Sequence, residues 1–128
     1  MATRRILFID DEAPIRTIAK ASLQLTRSWD VLTAASGQEG IEIVQTHTPD
    51  AILLDVNMPQ FNGLATLKAL KANPTTQLIP VILLTATVKV ASQPEYAALG
   101  AKAVIIKPFD PATLASQIET ALNWSVEP

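Results

Sequence analysis

Short apolar runs that stop abruptly on a polar residue recur along this chain. Residues 6–9 (Ile-Leu-Phe-Ile) end at Asp10-Asp11-Glu12, residues 51–54 (Ala-Ile-Leu-Leu) at Asp55, residues 79–84 (Ile-Pro-Val-Ile-Leu-Leu) at Thr85, and residues 103–106 (Ala-Val-Ile-Ile) at Lys107. An apolar run without alternation predicts a strand covered on both faces, as strands of a parallel sheet are. A further strand is predicted at residues 29–35, from Trp29 to Ala35.

Between the runs the period becomes helical. Pro14 suits the first turn of a helix, and Ile15, Ile18, Ala19, Ser22 and Leu25 follow at helical spacing. Ser36-Gly-Gln-Glu39 is a capping box opening a helix to about Thr46, closed by Thr48-Pro49. Met58-Pro59 keeps the chain out of a helix just after Asp55. Asn62-Gly63 then turns it into one marked by Leu64, Leu67 and Leu70 and ended by Asn73-Pro74. A short helix is expected over residues 92–99, with Pro94 in its first turn and Gly100 beyond its end. Asp110-Pro111 starts a last helix whose Leu114, Ile118, Ala121 and Leu122 form one apolar stripe. Five strands alternating with five helices predict an α/β fold, a five-stranded parallel sheet wound on both faces by right-handed crossovers.

Composition narrows the class. The 128 residues are 48% hydrophobic, enough for one domain with a substantial core, and the chain is read as a single domain over 1–128. Ten basic against twelve acidic residues give a formal net charge of −2, which supplies no cationic footprint for direct nucleic-acid binding. Cysteine is absent, which excludes a disulfide framework, a thiolate nucleophile and a cysteine-based zinc site. The apolar run after Arg4-Arg5 is too short for a signal peptide or a membrane span, so a soluble, cytoplasmic protein without membrane contact is expected. Arg4-Arg5 is read as a solvated strand start, His47 as exposed, and Trp29 and Trp124 as packing or a contact patch.

The polar residues that stop the strands carry the chemistry. Parallel strands end on one edge, where open α/β sheets bind ligands, so Asp10, Asp11, Asp55, Thr85 and Lys107 should gather there. Two carboxylates ~5 Å apart repel by ~3 kcal/mol at an effective dielectric of ~20. Three such acids therefore require a proton or a cation. An all-oxygen ligand set with room for water favours Mg²⁺. A carboxylate beside Mg²⁺, an ammonium and a hydroxyl can take up a phosphoryl group, since that chemistry is mainly positioning and charge neutralisation. Asp55 would be the nucleophile, Lys107 would bind phosphoryl oxygens with the metal, and Thr85 could donate a hydrogen bond. Taken singly, Asp10-Asp11 is an acidic turn, Thr85 a strand-end hydroxyl and Lys107-Pro108 a plain turn; the combination is what reverses those readings.

Asp10-Asp11 after the first strand, Asp55 with Met58-Pro59 and Gly63, Thr85-Ala86, and Lys107-Pro108-Phe109 together resemble the motif set of response-regulator receiver domains of two-component signalling, over almost the whole chain. The resemblance implies a flavodoxin-like strand order 2-1-3-4-5 and a domain with no output module of its own. It implies that Asp11 and Asp55 ligate Mg²⁺ directly, Asp10 largely through water, and Asn57 through its backbone carbonyl, with Thr85 and Lys107 on the phosphoryl group and a cis Lys107–Pro108 peptide. It makes the chain a phosphoacceptor rather than a turnover enzyme. The implied partners are a sensor histidine kinase or phosphotransfer protein as donor and an output protein not identified by the sequence, with a homodimer left open. Two positions depart from the pattern. Val104 stands where receivers often carry a Tyr or Phe that changes rotamer on activation, and Pro94 falls in a helix that is usually continuous. Thr87 and Asn57 are expected to line the approach to the phosphate.

Two other functions compete. A phosphatase working through an aspartyl phosphate, like the haloacid-dehalogenase enzymes, typically has a second Asp two residues after the nucleophile, where this chain has Asn57. An interaction module that never accepts phosphate would have no need of the full acid set with Thr85 and Lys107.

Overall fold

The structure is a computed structural model and describes residues 3–56, 63–85 and 97–124. Its elements run β1 (Arg5–Ile9), α1 (Ala13–Arg27), β2 (Asp30–Ala34), α2 (Gly37–His47), β3 (Ala51–Asp55), α3 (Gly63–Ala72), β4 (Val81–Thr85), β5 (Ala103–Ile106) and α4 (Leu114–Leu122). All five strands pair in parallel in the order β2-β1-β3-β4-β5, as expected. The helix expected over residues 92–99 falls mostly outside the described residues, with only Ala97 and Ala98 helical within them.

Alternation of side chains along each strand splits the core in two. Ile6, Phe8, Leu53, Ile82, Leu84 and Ile105 face α1 and α4, where Ala19, Leu23, Leu114 and Ile118 cover them. Leu7, Ile9, Ile52, Leu54, Val81 and Leu83 face the other way, under Val44 of α2 and Leu67 and Leu70 of α3. A strand buried on both sides has no polar position to spare, which is why the runs are unbroken and the polar residues sit at their ends.

Two helix expectations need correction. The buried stripe of α1 is Ala19, Ser22 and Leu23 with Ile15 beside it, whereas Ile18 and Leu25 are 47% and 84% exposed. At 100° per residue those two fall on the flank of the helix, beyond the arc that faces the sheet. The last helix begins at Leu114 rather than at Asp110-Pro111. There the Asp110 carboxylate accepts the Ala112 N–H at 2.9 Å and its carbonyl accepts the Thr113 N–H at 3.0 Å, so the acid closes a turn ahead of the helix. The capping box forms at Ser36, whose hydroxyl accepts the Glu39 N–H at 3.1 Å, although the Glu39 carboxylate reaches back to the Ala35 N–H instead of that of Ser36.

The amino-terminal arginines are not simply solvated. The Arg4 guanidinium lies 4.2 Å from the ring centre of Trp124, which packs edge-on against Trp29 with centroids 5.6 Å apart. Arg5 pairs with Asp30 at 2.9 Å and donates to the His47 carbonyl at 3.1 Å. His47 is exposed, as expected. No helix among the described residues is long and apolar enough to cross a membrane.

One ion pair ties the helices of the first face together. Arg27 at the end of α1 grips Glu119 of α4 with two hydrogen bonds, 3.0 Å from Nε and 2.9 Å from Nη2, and Glu119 is only 6% exposed. Replacing Arg27 by Met strands that carboxylate in a poorly solvated place. Because the guanidinium is itself partly exposed, the expected loss is about 1–2 kcal/mol rather than the larger cost of a fully buried pair. Urea denaturation should register it, and Arg27→Met combined with Glu119→Leu should recover more than half of the loss.

Candidate functional site

Strand order brings the expected residues to one edge. β1 and β4 flank β3, and β4 pairs with β5, so Asp10 just beyond β1, Asp55 ending β3, Thr85 ending β4 and Lys107 just beyond β5 share the carboxyl rim. Backbone bonds continue past the strands and hold these positions. The Asp10 N–H donates to Ala34 O at 3.1 Å, Val56 N–H to Leu84 O at 2.9 Å, and Lys107 N–H to Thr85 O at 2.8 Å. The Lys107–Pro108 peptide is cis.

Side chains then meet across nearly the full length of the sequence. One oxygen from each of Asp10, Asp11 and Asp55 lies within 4.8 Å of the others. Asp10, Asp55 and Thr85 are essentially inaccessible, and Asp11 is exposed and opens the cluster to solvent. The Lys107 ammonium stands 2.9 Å from Asp10, 3.4 Å from Asp55 and 3.7 Å from Glu12. Burial alone would push the lysine towards neutrality; its hydrogen bond to Asp10 and the charges of Asp10 and Asp55 outweigh that, and its pKa is raised above 10.5.

Three carboxylates against one ammonium leave two negative charges uncompensated, which is what one divalent cation supplies. The donors are all oxygen and cluster at a spacing suited to a shared ion, so the residues fit a hard cation. They do not contribute equally. Both carboxylate oxygens of Asp10 are already engaged, Oδ1 by the Glu12 N–H at 2.9 Å and Oδ2 by Lys107 at 2.9 Å. Asp10 is therefore the anchor of the cluster, and Asp11 is the carboxylate open to an incoming ion.

Gly63 belongs to the same site. A Cβ at this residue would collide with the Asp55 carbonyl oxygen and come within 2.6 Å of the Val56 Cα, so α3 can start against the end of β3 only without a side chain there. Two participants escaped the sequence reading. Glu12 approaches Lys107 from the rim, and Arg16 donates to the Asp10 carbonyl oxygen at 2.8 Å. Both lie in the loop and first turn that follow the acid pair, and proximity in sequence was the one signal available for them. Asn57, the Met58-Pro59 turn, Asn62, Thr87 and Pro94 lie outside the described residues. Val104 is partly buried against the core face covered by α2 and α3.

This sheet order, with an acid cluster and a lysine at its carboxyl rim, defines a doubly wound domain that handles phosphoryl groups. The model of the response regulator receiver domain matches residues 6–119, and the chain belongs to that family. Its acid cluster is that of a receiver-domain phosphoacceptor site of two-component signalling. It is 35% identical over 125 residues to a probable transcriptional regulator ycf27 of Cyanophora paradoxa, covering 98% of this chain and 51% of that protein. It is 33% identical over 123 residues to the phosphate regulon transcriptional regulatory protein PhoB of Pseudomonas aeruginosa, covering 96% and 53%. The chain thus spans about half the length of the curated relatives it matches. Among solved structures, the chemotaxis protein CheY4 of Vibrio cholerae superposes with a TM-score of 0.86 at 32% identity, covering 94% of this chain and 99% of that one.

Among the described residues Lys107 is the side-chain cation paired with the buried acids, so Lys107→Met should lower the stability of the metal-free protein by about 2–4 kcal/mol at neutral pH. A lysine whose folded pKa is raised contributes fully below the unfolded value of 10.5 and loses that contribution as pH climbs through the folded value. The gap between wild type and variant, followed by urea unfolding, should therefore be constant from pH 7 to 9 and narrow above 10.5.

A strand-end clash gives a separate test. Gly63→Ala should cost about 1–3 kcal/mol in the same assay, because the backbone of Asp55 and Val56 has to move.

Proposed function

We propose that Asp55 accepts a phosphoryl group from the phosphohistidine of a sensor kinase or phosphotransfer protein, in a magnesium-dependent reaction, and that the phosphorylated domain then signals through a protein partner in the cytoplasm. The observation carrying this reading is the convergence of Asp10, Asp11 and Asp55 within 4.8 Å, with the Lys107 ammonium on two of them.

Each residue has a task that its position suits. An Asp55 carboxylate oxygen attacks phosphorus, the bond to the donor nitrogen breaks, and its electron pair stays on the departing imidazole. Lys107 stands beside Asp55 and is the ammonium in reach of the phosphoryl oxygens added there. Thr85, ending the neighbouring strand, would donate its hydroxyl to another. Asp11 and Asp55, with the Asn57 carbonyl, would hold Mg²⁺, and Asp10 would contact it through water. When bound, the metal supplies the positive charge that lets a dianionic phosphoryl group approach a set of carboxylates.

Phosphorylation replaces one carboxylate charge by close to two and adds acceptor oxygens, which shifts the balance between two arrangements of the surrounding chain. Val104, three residues before the lysine, offers no aromatic ring at that position to carry the shift by a change of rotamer.

Incubation with a small-molecule phosphodonor and Mg²⁺ should add the mass of one phosphoryl group. Chelation of the metal or Asp55→Asn should abolish the addition, and persistent labelling of that variant would remove Asp55 from this role.

A further inference from the structure

Arg16 is an odd residue for its place. It sits in the first turn of α1, where the helix dipole disfavours a cation, and no acidic residue of that turn offsets it. Nor does its guanidinium point to solvent: Arg16 is half-buried, and Nη1 donates to the Asp10 carbonyl oxygen at 2.8 Å. Helical side chains lean back towards the amino terminus, so a long one at the fourth position of α1 reaches the strand-end loop that precedes the helix.

The carbonyl it holds belongs to the peptide joining Asp10 to Asp11. Asp10 is otherwise fixed at its N–H by Ala34 O, at Oδ1 by the Glu12 N–H and at Oδ2 by Lys107. With Arg16 on its carbonyl, every polar group of Asp10 has a partner. Asp11, between two tethered residues and exposed, takes its direction from this backbone. We propose that Arg16 is a positioning residue for the cation site: it locks the Asp10–Asp11 peptide so that the Asp11 carboxylate is aimed at the ion before the ion arrives. The proposal rests on the reading of this cluster as a magnesium site.

The sign of the effect separates positioning from charge. As a nearby positive charge alone, Arg16 repels a divalent cation, and its removal would tighten binding. As a positioning group it lowers the ordering cost of the site, and its removal weakens binding, by the roughly tenfold typical of outer residues that orient metal ligands.

The test is calorimetric titration of the unphosphorylated full chain with magnesium chloride at fixed ionic strength, comparing wild type, Arg16→Met and Arg16→Lys. The expected result is a dissociation constant raised about tenfold in Arg16→Met and partly restored in Arg16→Lys, which keeps a donor. The urea midpoint of the metal-free Arg16→Met protein should stay close to wild type. Equal or tighter binding by Arg16→Met overturns the proposal. So does a weakening that Arg16→Lys shares in full, or one accompanied by a matching loss of metal-free stability, since either would make Arg16 an ordinary structural residue. Failure of the wild type to bind magnesium would overturn the underlying reading of the cluster as well.

Discussion

One ammonium group, that of Lys107, holds together a rim that would otherwise push itself apart. It lies within salt-bridge distance of Asp10 and Glu12 in the loop after β1 and of Asp55 at the end of β3. At an effective dielectric of ~20, two carboxylates under 5 Å apart repel by ~3 kcal/mol, less where Asp11 meets water. An ammonium at hydrogen-bond distance offsets much of that repulsion and leaves the rest for a divalent ion. The site is therefore a charge deficit held open by the fold, and the fold's other features serve to keep the three acids and the lysine at that edge.

The parallel sheet is what makes such a deficit possible. Strands buried on both faces exclude polar residues until their ends, and parallel pairing sends all of those ends to one rim. β3 lies centrally, with β1 and β4 beside it, so its terminal Asp55 has Asp10 on one side and Thr85 on the other. Gly63 removes the last obstacle by allowing α3 to begin directly against the Asp55 backbone. Burial makes the charges strong, and the exposed Asp11 keeps the cluster accessible.

Much of this was legible in the residues alone. Unbroken apolar runs located β1, β3, β4 and β5, and the polar residue ending each run named the site, because a covered strand leaves no other position for chemistry. The order of the strands was not legible from the alternation and came with the family resemblance. Periodicity failed at the flanks of α1, where Ile18 and Leu25 fit the spacing but lie beyond the buried arc. It failed again before α4, where Asp110 closes a turn with the same chemistry that caps a helix. Contacts made by long side chains were the least visible. Arg27 on Glu119, Arg4 over Trp124 and Arg16 on the Asp10 carbonyl depend on where distant or flexible groups end up, and no spacing rule encodes that.

The most direct measurement is the urea midpoint of the full chain as magnesium replaces sodium at constant ionic strength. A rim short of two positive charges predicts a midpoint that climbs with the logarithm of magnesium concentration once the site begins to fill. It also predicts that Asp55→Asn is the more stable protein without the ion and responds to it far less. A wild-type midpoint indifferent to magnesium, or an Asn variant that climbs in parallel with it, would contradict the charge deficit on which the site is built.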